Sequence, residues 1–325
     1  MSHGHETYQA PFWLPGGNLQ TIWGALIRAP KVDYRRERWE LPDGDFIDLD
    51  WLDGHAEAPL VVLFHGLEGD SRSVYALHLM AAVKQLGWRG VVPHFRGCSG
   101  EANRLPRAYF AGDSAEIGQI LRRLRHANSH ANGHAPIYAA GVSLGGNALL
   151  KWLGEQGESA LEVVRAAAAI SAPLDLPAAG AALDRGFCRV YTARFLKTLK
   201  SKTLAKLDRH PGLWERAAIA RVHSIKAFDT LVTAPLHGYR DADDYWAQAA
   251  SKPGLGSIVV PTLLINARND PFMPGDTLPG PDQVSPWVTL DFPDTGGHVG
   301  FVTGPFPGAS NWLPKRLLDH FAAPA

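Results

Sequence analysis

Gly141-Val142-Ser143-Leu144-Gly145-Gly146 follows a short apolar run, Ile137–Ala140, and precedes a helical pattern, Ala148–Gly154. A strand passing into a helix through one residue forces that residue into a strained turn and presents its side chain at the edge of a sheet. Glycines two positions to either side remove side chains that would collide there. Ser143 is read as a nucleophile on this ground, against the alternative of an ordinary glycine-rich turn. A serine hydroxyl attacks only when a base takes its proton. His298, in Thr295-Gly296-Gly297-His298-Val299-Gly300-Phe301, is the candidate base among fourteen histidines. It follows both Ser143 and an acidic loop, which gives the chain order Ser, Asp, His. Asp270 ends the run Leu263-Leu264-Ile265-Asn266 and its short loop, where it can accept from the imidazole and fix its tautomer. Asp276, Asp291 and Asp294 compete for that role. A developing oxyanion needs two donors: the backbone N–H of Leu144 and that of Leu67, in His65-Gly66-Leu67-Glu68-Gly69. His65 precedes Ser143 and is read as ordering this loop. The chemistry implied is acyl transfer through a serine ester, with no cofactor and no metal.

The elements that must position these residues follow from periodicity. Short β-rich runs alternate with helical patterns, as in a mainly parallel sheet. Arg38–Leu41 and Phe46–Leu52, divided by Pro42-Asp43-Gly44, read as an antiparallel hairpin. Leu60–Phe64 is an unbroken apolar run, expected of a strand covered on both faces. Gly90–Phe95, Ile137–Ala140, Ala166–Ile170, Thr262–Asn266 and Trp287–Phe292 read as further strands. Ile117, Ile120, Leu121 and Leu124 mark an amphipathic helix, with Asp113 or Ser114 as its cap. The strand signal fades from about Leu174 to Ser257, a stretch too long for a simple loop. The expected organisation is an N-terminal arm (1–30), a first core part (31–173), a helical cap insertion (174–257) and a second core part (258–325).

Taken together, His65–Gly69, Phe95-Arg96-Gly97-Cys98-Ser99-Gly100, Gly141–Asn147, Asn266–Phe272 and Gly296–Phe301 resemble the YheT-like branch of the α/β-hydrolases. The opening Pro11-Phe12-Trp13-Leu14-Pro15-Gly16-Gly17-Asn18-Leu19-Gln20-Thr21-Ile22 resembles that branch too. So do Phe228-Asp229-Thr230 and Thr233-Ala234-Pro235-Leu236-His237-Gly238-Tyr239. The resemblance covers nearly the whole chain. It implies an α/β-hydrolase fold, a mostly parallel sheet flanked by helices with a helical cap, and hydrolysis of carboxylic esters. Lipase and phospholipase activities occur among eukaryotic relatives. Membrane-bound relatives carry an N-terminal anchor not found here. The expected substrate is therefore a small-molecule ester or lipid met from solution, with at most transient contact with a lipid surface.

Composition narrows the alternatives. Thirty-two basic residues balance thirty-two acidic ones, leaving no electrostatic footprint for nucleic acid. No signal peptide or stretch long enough to span a bilayer is apparent, so a cytoplasmic location without stable membrane insertion is expected. A thioesterase, acyltransferase or peptidase would share the same triad, and a non-catalytic binding protein would share the fold. Arg189, Arg194, Lys197, Lys200, Lys202 and Lys206 are read as the solvated face of a cap helix. His126, His130 and His134 are read as a solvated helix end rather than a metal site. The aromatic arm Trp13–Trp23 is expected to pack on the domain.

Overall fold

A strand with helices over both faces has no solvent side, so its sequence carries no polar alternation. Leu60–Phe64 behaves in this way in the computed structural model, which describes residues 7 to 131 and 135 to 323. Val62 and Phe64 point into one core cluster and Val61 and Leu63 into another. The first cluster includes Ile117, Leu121, Leu149 and Trp152; the second includes Leu79, Met80, Leu317 and Phe321.

Eight strands form one sheet: β1 (Arg35–Glu40), β2 (Phe46–Leu52), β3 (Leu60–Phe64), β4 (Arg89–Pro93), β5 (Ile137–Val142), β6 (Ala166–Ile170), β7 (Thr262–Ile265) and β8 (Val288–Asp291). Their spatial order is β1-β2-β4-β3-β5-β6-β7-β8. The β1–β2 hairpin is antiparallel, β2 meets β4 antiparallel, and all other pairs are parallel. The expected strands are all present, β2, β3 and β6 with the expected ends and the others displaced by up to three residues.

Helices α1 (Gly17–Leu26) and α2 (Val74–Gln85) are additions to the expected elements. Next come α3 (Ser114–Ala131), α4 (Leu144–Gln156) and, between β6 and β7, α5 (Leu176–Leu183), α6 (Cys188–Arg209), α7 (Arg216–Ala220), α8 (Ile225–Phe228), α9 (Ala234–Leu236) and α10 (Ala242–Ala249). The chain closes with α11 (Trp312–Ala322). Asp113, not Ser114, caps α3, accepting from the Glu116 N–H at 3.4 Å.

The helical stretch between β6 and β7 divides by its packing. Leu196, Val222, Phe228 and Val232 form a small cluster of their own. Trp246, Ala249 and Leu255 instead join the main core. Asn147 ties this later part to α4, donating to the carbonyls of Ala111 and Ala249 and accepting from the Ser251 N–H.

The basic run on α6 departs from expectation. Lys202 and Lys206 turn inward, because α6 lies across the loop that follows β4. Lys202 Nζ reaches Glu68 Oε1 at 2.9 Å. Lys206 Nζ donates to Asn103 Oδ1 and to the carbonyls of Leu105 and Arg107, at 2.8 to 2.9 Å. Burial pushes the Lys206 ammonium down to about 8. Among the described residues no helix is long and apolar enough to cross a membrane.

Candidate active site

The turn between β5 and α4 shows why its sequence is glycine-rich. Ser143 has φ 53° and ψ −121°, a region that L-residues occupy only under constraint. A Cβ at Gly141 would lie 2.5 Å from the Gly145 carbonyl oxygen, and one at Gly145 would lie 2.5 Å from that of His65. Strand, turn and helix therefore meet backbone to backbone, and Ser143 stands out at the edge of the sheet.

His298 comes to it from the loop after β8. Its Nε2 lies 3.0 Å from Ser143 Oγ and its Nδ1 lies 2.8 Å from Asp270 Oδ2. Nδ1 thus donates to the carboxylate and Nε2 accepts from the serine hydroxyl, the tautomer that proton abstraction requires. The other oxygen of Asp270 accepts from the Phe272 N–H at 2.8 Å. The Asp270 side chain is fully buried, while that of His298 keeps a little exposure. The competing acids sit elsewhere: Asp291 pairs with Arg316, Asp294 pairs loosely with Arg268 at the surface, and Asp276 is exposed. Phe272 lies against the imidazole, with ring centroids 4.3 Å apart.

The loop after β3 passes directly over Ser143: a Cβ on Gly66 would sit 3.2 Å from Ser143 Cβ. Most of its amides are engaged. Gly66 donates to Tyr75 Oη, Glu68 to Tyr109 Oη and Gly69 to the Gly66 carbonyl. The Leu67 N–H has no acceptor among the described residues. Leu144 opens α4, where the first amides of a helix lack intrahelical partners. His65 is wholly buried, donating from Nδ1 to the Gly66 carbonyl and accepting the Phe95 N–H at Nε2. Burial pushes its imidazole down to about 3. It stays neutral and braces the loop.

Two cavities meet at Ser143. One of about 190 Å³ lies beneath the insertion, walled by Leu144, Leu176, Leu183, Phe195, Leu199 and Val232. Asp229 lines it as well, accepting from Thr233 Oγ1 at 2.7 Å and Trp246 Nε1 at 2.8 Å, and burial raises its carboxyl to about 6. The other, of about 680 Å³, lies between α1 and α6 and is walled by Ile22, Ala25, Leu26, Tyr191 and Phe195. Trp13 and Trp23 pack on Phe306, so the arm's share of that wall comes from its aliphatic residues.

Both cysteines are free and buried. Desolvation raises the Cys98 thiol to about 11, which leaves it a poor nucleophile. No cluster of three or more metal-ligating side chains occurs among the described residues. His134 and the side chain of His130 lie outside them. Phe272, Asp229 and the polar pair Gln20-Thr21 lie within the motifs of resemblance, but had no site role in the sequence reading. The legible signal for the last was the recurrence of Gly17, Gln20, Thr21 and Gly24 at helical spacing.

Residues 59–305 match the family model of the alpha/beta hydrolase fold. The chain is 42% identical over 308 residues to the Escherichia coli (strain K12) protein YheT, covering 93% of this chain and 89% of that one. It is 32% identical over 328 residues to Phospholipase ABHD3 of Mus musculus, covering 97% and 78% respectively. The solved structure of mouse alpha/beta hydrolase domain-containing protein 10 superposes with a TM-score of 0.55 at 15% identity, over 88% of this chain and 98% of that one, a likeness of fold. The chain belongs to the α/β-hydrolase family, in its YheT-like branch.

Proposed function

We propose that this protein is a serine hydrolase of carboxylic esters, with Ser143, His298 and Asp270 as its catalytic triad. The carrying observation is the unbroken relay from Ser143 Oγ through His298 to Asp270 at 3.0 and 2.8 Å. Ser143 Oγ attacks the ester carbonyl carbon as its proton passes to His298 Nε2. The carbonyl π pair moves onto oxygen, where the N–H groups of Leu67 and Leu144 receive it. The tetrahedral intermediate collapses, the C–O bond to the alcohol breaks, and His298 returns the proton to the departing oxygen. Water repeats the cycle on the acyl-enzyme and frees the acid. Asp270 stabilises the imidazolium in both halves.

Apolar walls on both sides of Ser143 support an ester with a hydrocarbon acyl chain, and the phospholipase among the relatives supports a lipid ester. Two unpaired thiols support a reducing, cytoplasmic setting. The test is fluorophosphonate labelling beside a panel of ester, thioester and amide substrates. Ser143→Ala is expected to lose the label and to lower turnover by on the order of a thousandfold or more, with melting temperature nearly unchanged. Labelling of Ser143→Ala at the wild-type rate refutes the assignment, and a preference for thioesters or amides refutes the substrate class.

A further inference from the structure

The face of α1 formed by Gly17, Gln20, Thr21 and Gly24 meets both loops of the acid–base pair. Gln20 is 1% exposed. Its Oε1 accepts from the Gly296 N–H at 2.8 Å and from Asn269 Nδ2 at 2.9 Å, while its Nε2 donates to the Leu14 carbonyl at 2.9 Å. A peptide N–H only donates and a carbonyl only accepts, so these partners define the orientation of the amide. Asn269, the residue before Asp270, in turn accepts from the Gly297 N–H, the residue before His298, at 3.0 Å. Thr21 Oγ1 accepts the backbone N–H of His298 itself at 2.8 Å and donates to the Gly17 carbonyl at 2.7 Å. Glycines allow the close approach: a Cβ at Gly24 would fall 2.7 Å from Gly300 Cα.

We propose that Gln20 and Thr21 are positioning residues that set the separation and angle of Asp270 and His298, which makes α1 part of the relay's framework. The proposal rests on reading Ser143, His298 and Asp270 as catalytic. Gly296 and Gly297, both at positive φ, precede the ring, so no side chain of theirs fixes the approach of His298 and its placement depends on what the loop docks against. Besides α1, the loop is held by the Gly297 N–H on Asn269 Oδ1, the His298 bonds to Asp270 and Ser143, the Phe272 ring, the Val299 N–H on Ser171 Oγ, and the Gly300 and Phe301 N–H groups on the Gly296 carbonyl. Helix α1 alone grips the His298 backbone N–H. A base displaced by a fraction of an ångström loses its line to Ser143, and proton transfer is steep in that geometry.

The test compares Thr21→Val, Thr21→Ser and Gln20→Met with wild type and Ser143→Ala in the full chain. It measures kcat, KM, the rate of fluorophosphonate labelling, and folding by circular dichroism. Thr21→Val keeps shape and removes one oxygen. It is expected to lower kcat and the labelling rate by about tenfold or more with KM within about twofold of wild type, and Thr21→Ser is expected to restore most of both. Gln20→Met is expected to lose more; should it fail to fold, the Thr21 pair carries the test. If Ser143→Ala is inactive while folded Thr21→Val keeps wild-type kcat and labelling, the positioning role is overturned and the triad stands. A loss in Thr21→Val that Thr21→Ser does not restore overturns it equally. If Ser143→Ala stays active and labelled, the triad falls and the positioning role falls with it.

Discussion

Helix α1 reaches the Asp270 and His298 loops without a titratable side chain among its ten residues, whereas α6 reaches the loops after β3 and β4 with Lys202 and Lys206. The first contact is made of neutral hydrogen bonds to backbone amides and of glycine packed on glycine. The second is an ammonium on Glu68, the neighbour of Leu67, with Tyr109 Oη donating to the same carboxylate oxygen at 2.7 Å. Neutral, buried bonds are short-ranged and indifferent to salt, while a partly exposed ion pair weakens as ionic strength rises. The Asp270 and His298 loops are thereby held by short-ranged neutral bonds, and the wall formed by the insertion by contacts that respond to conditions. Asp229, buried and hydrogen-bonded to Thr233 and Trp246, faces the cavity on that second side.

The strongest way to break this contrast is Gly24→Val. Its side chain must displace the Gly300 backbone, two residues after His298. Turnover is expected to fall on the order of a hundredfold, because a misplacement of about 1 Å in a catalytic group has that effect. Steady-state kinetics at low and high salt check it, and the loss should be the same in both.

A smaller effect is expected of Lys202→Met. Removing the ammonium leaves Glu68 with Tyr109 alone and loosens the loop carrying Leu67. The specificity constant is expected to fall about tenfold, and the salt dependence expected of the wild type from this pair should disappear. Salt titrations of both proteins decide this; a variant as salt-sensitive as wild type shows that the pair does not carry the effect.

The smallest effect concerns stability and Asp229. Burial raises its carboxyl from 3.8 to about 6 in the folded chain. Between these values the folded state holds a proton that the unfolded state has released. Stability therefore falls as pH rises from about 4 through about 6, by on the order of 1–2 kcal/mol, and levels off about one pH unit above the folded pKa for this group. Asp229→Asn is expected to remove that slope. Urea unfolding at pH 4, 5, 6 and 7 on both proteins measures it, and equal slopes would show that Asp229 stays ionised in the fold.

Much of the fold was legible because its signals are local. The β3 run carries its own pattern, as do the glycines around Ser143 and the apolar stripe of α3, and each took shape where expected. That Ser143, His298 and Asp270 converge was legible from their order and from the strand ends that carry them. Less legible were α1 and α2. The first hid in aromatic, glycine-rich text, and the polar pair within it gave no sign of its partners. The inward turn of Lys202 and Lys206 was also out of reach, since a lysine on an amphipathic helix reads as solvated unless a facing loop supplies acceptors.

By itself the sequence determined the strand–turn–helix that strains Ser143, the alternation that builds a parallel sheet, and the candidate acids and base. Each follows from the geometry of a few consecutive residues. Only the tertiary structure decided that Asp270 meets His298 while Asp291 pairs with Arg316, that α6 docks through its lysines, and that Thr21 holds the His298 amide across 277 positions of chain. Such contacts form when whole elements dock, and the register of that docking comes from the packing of all of them together.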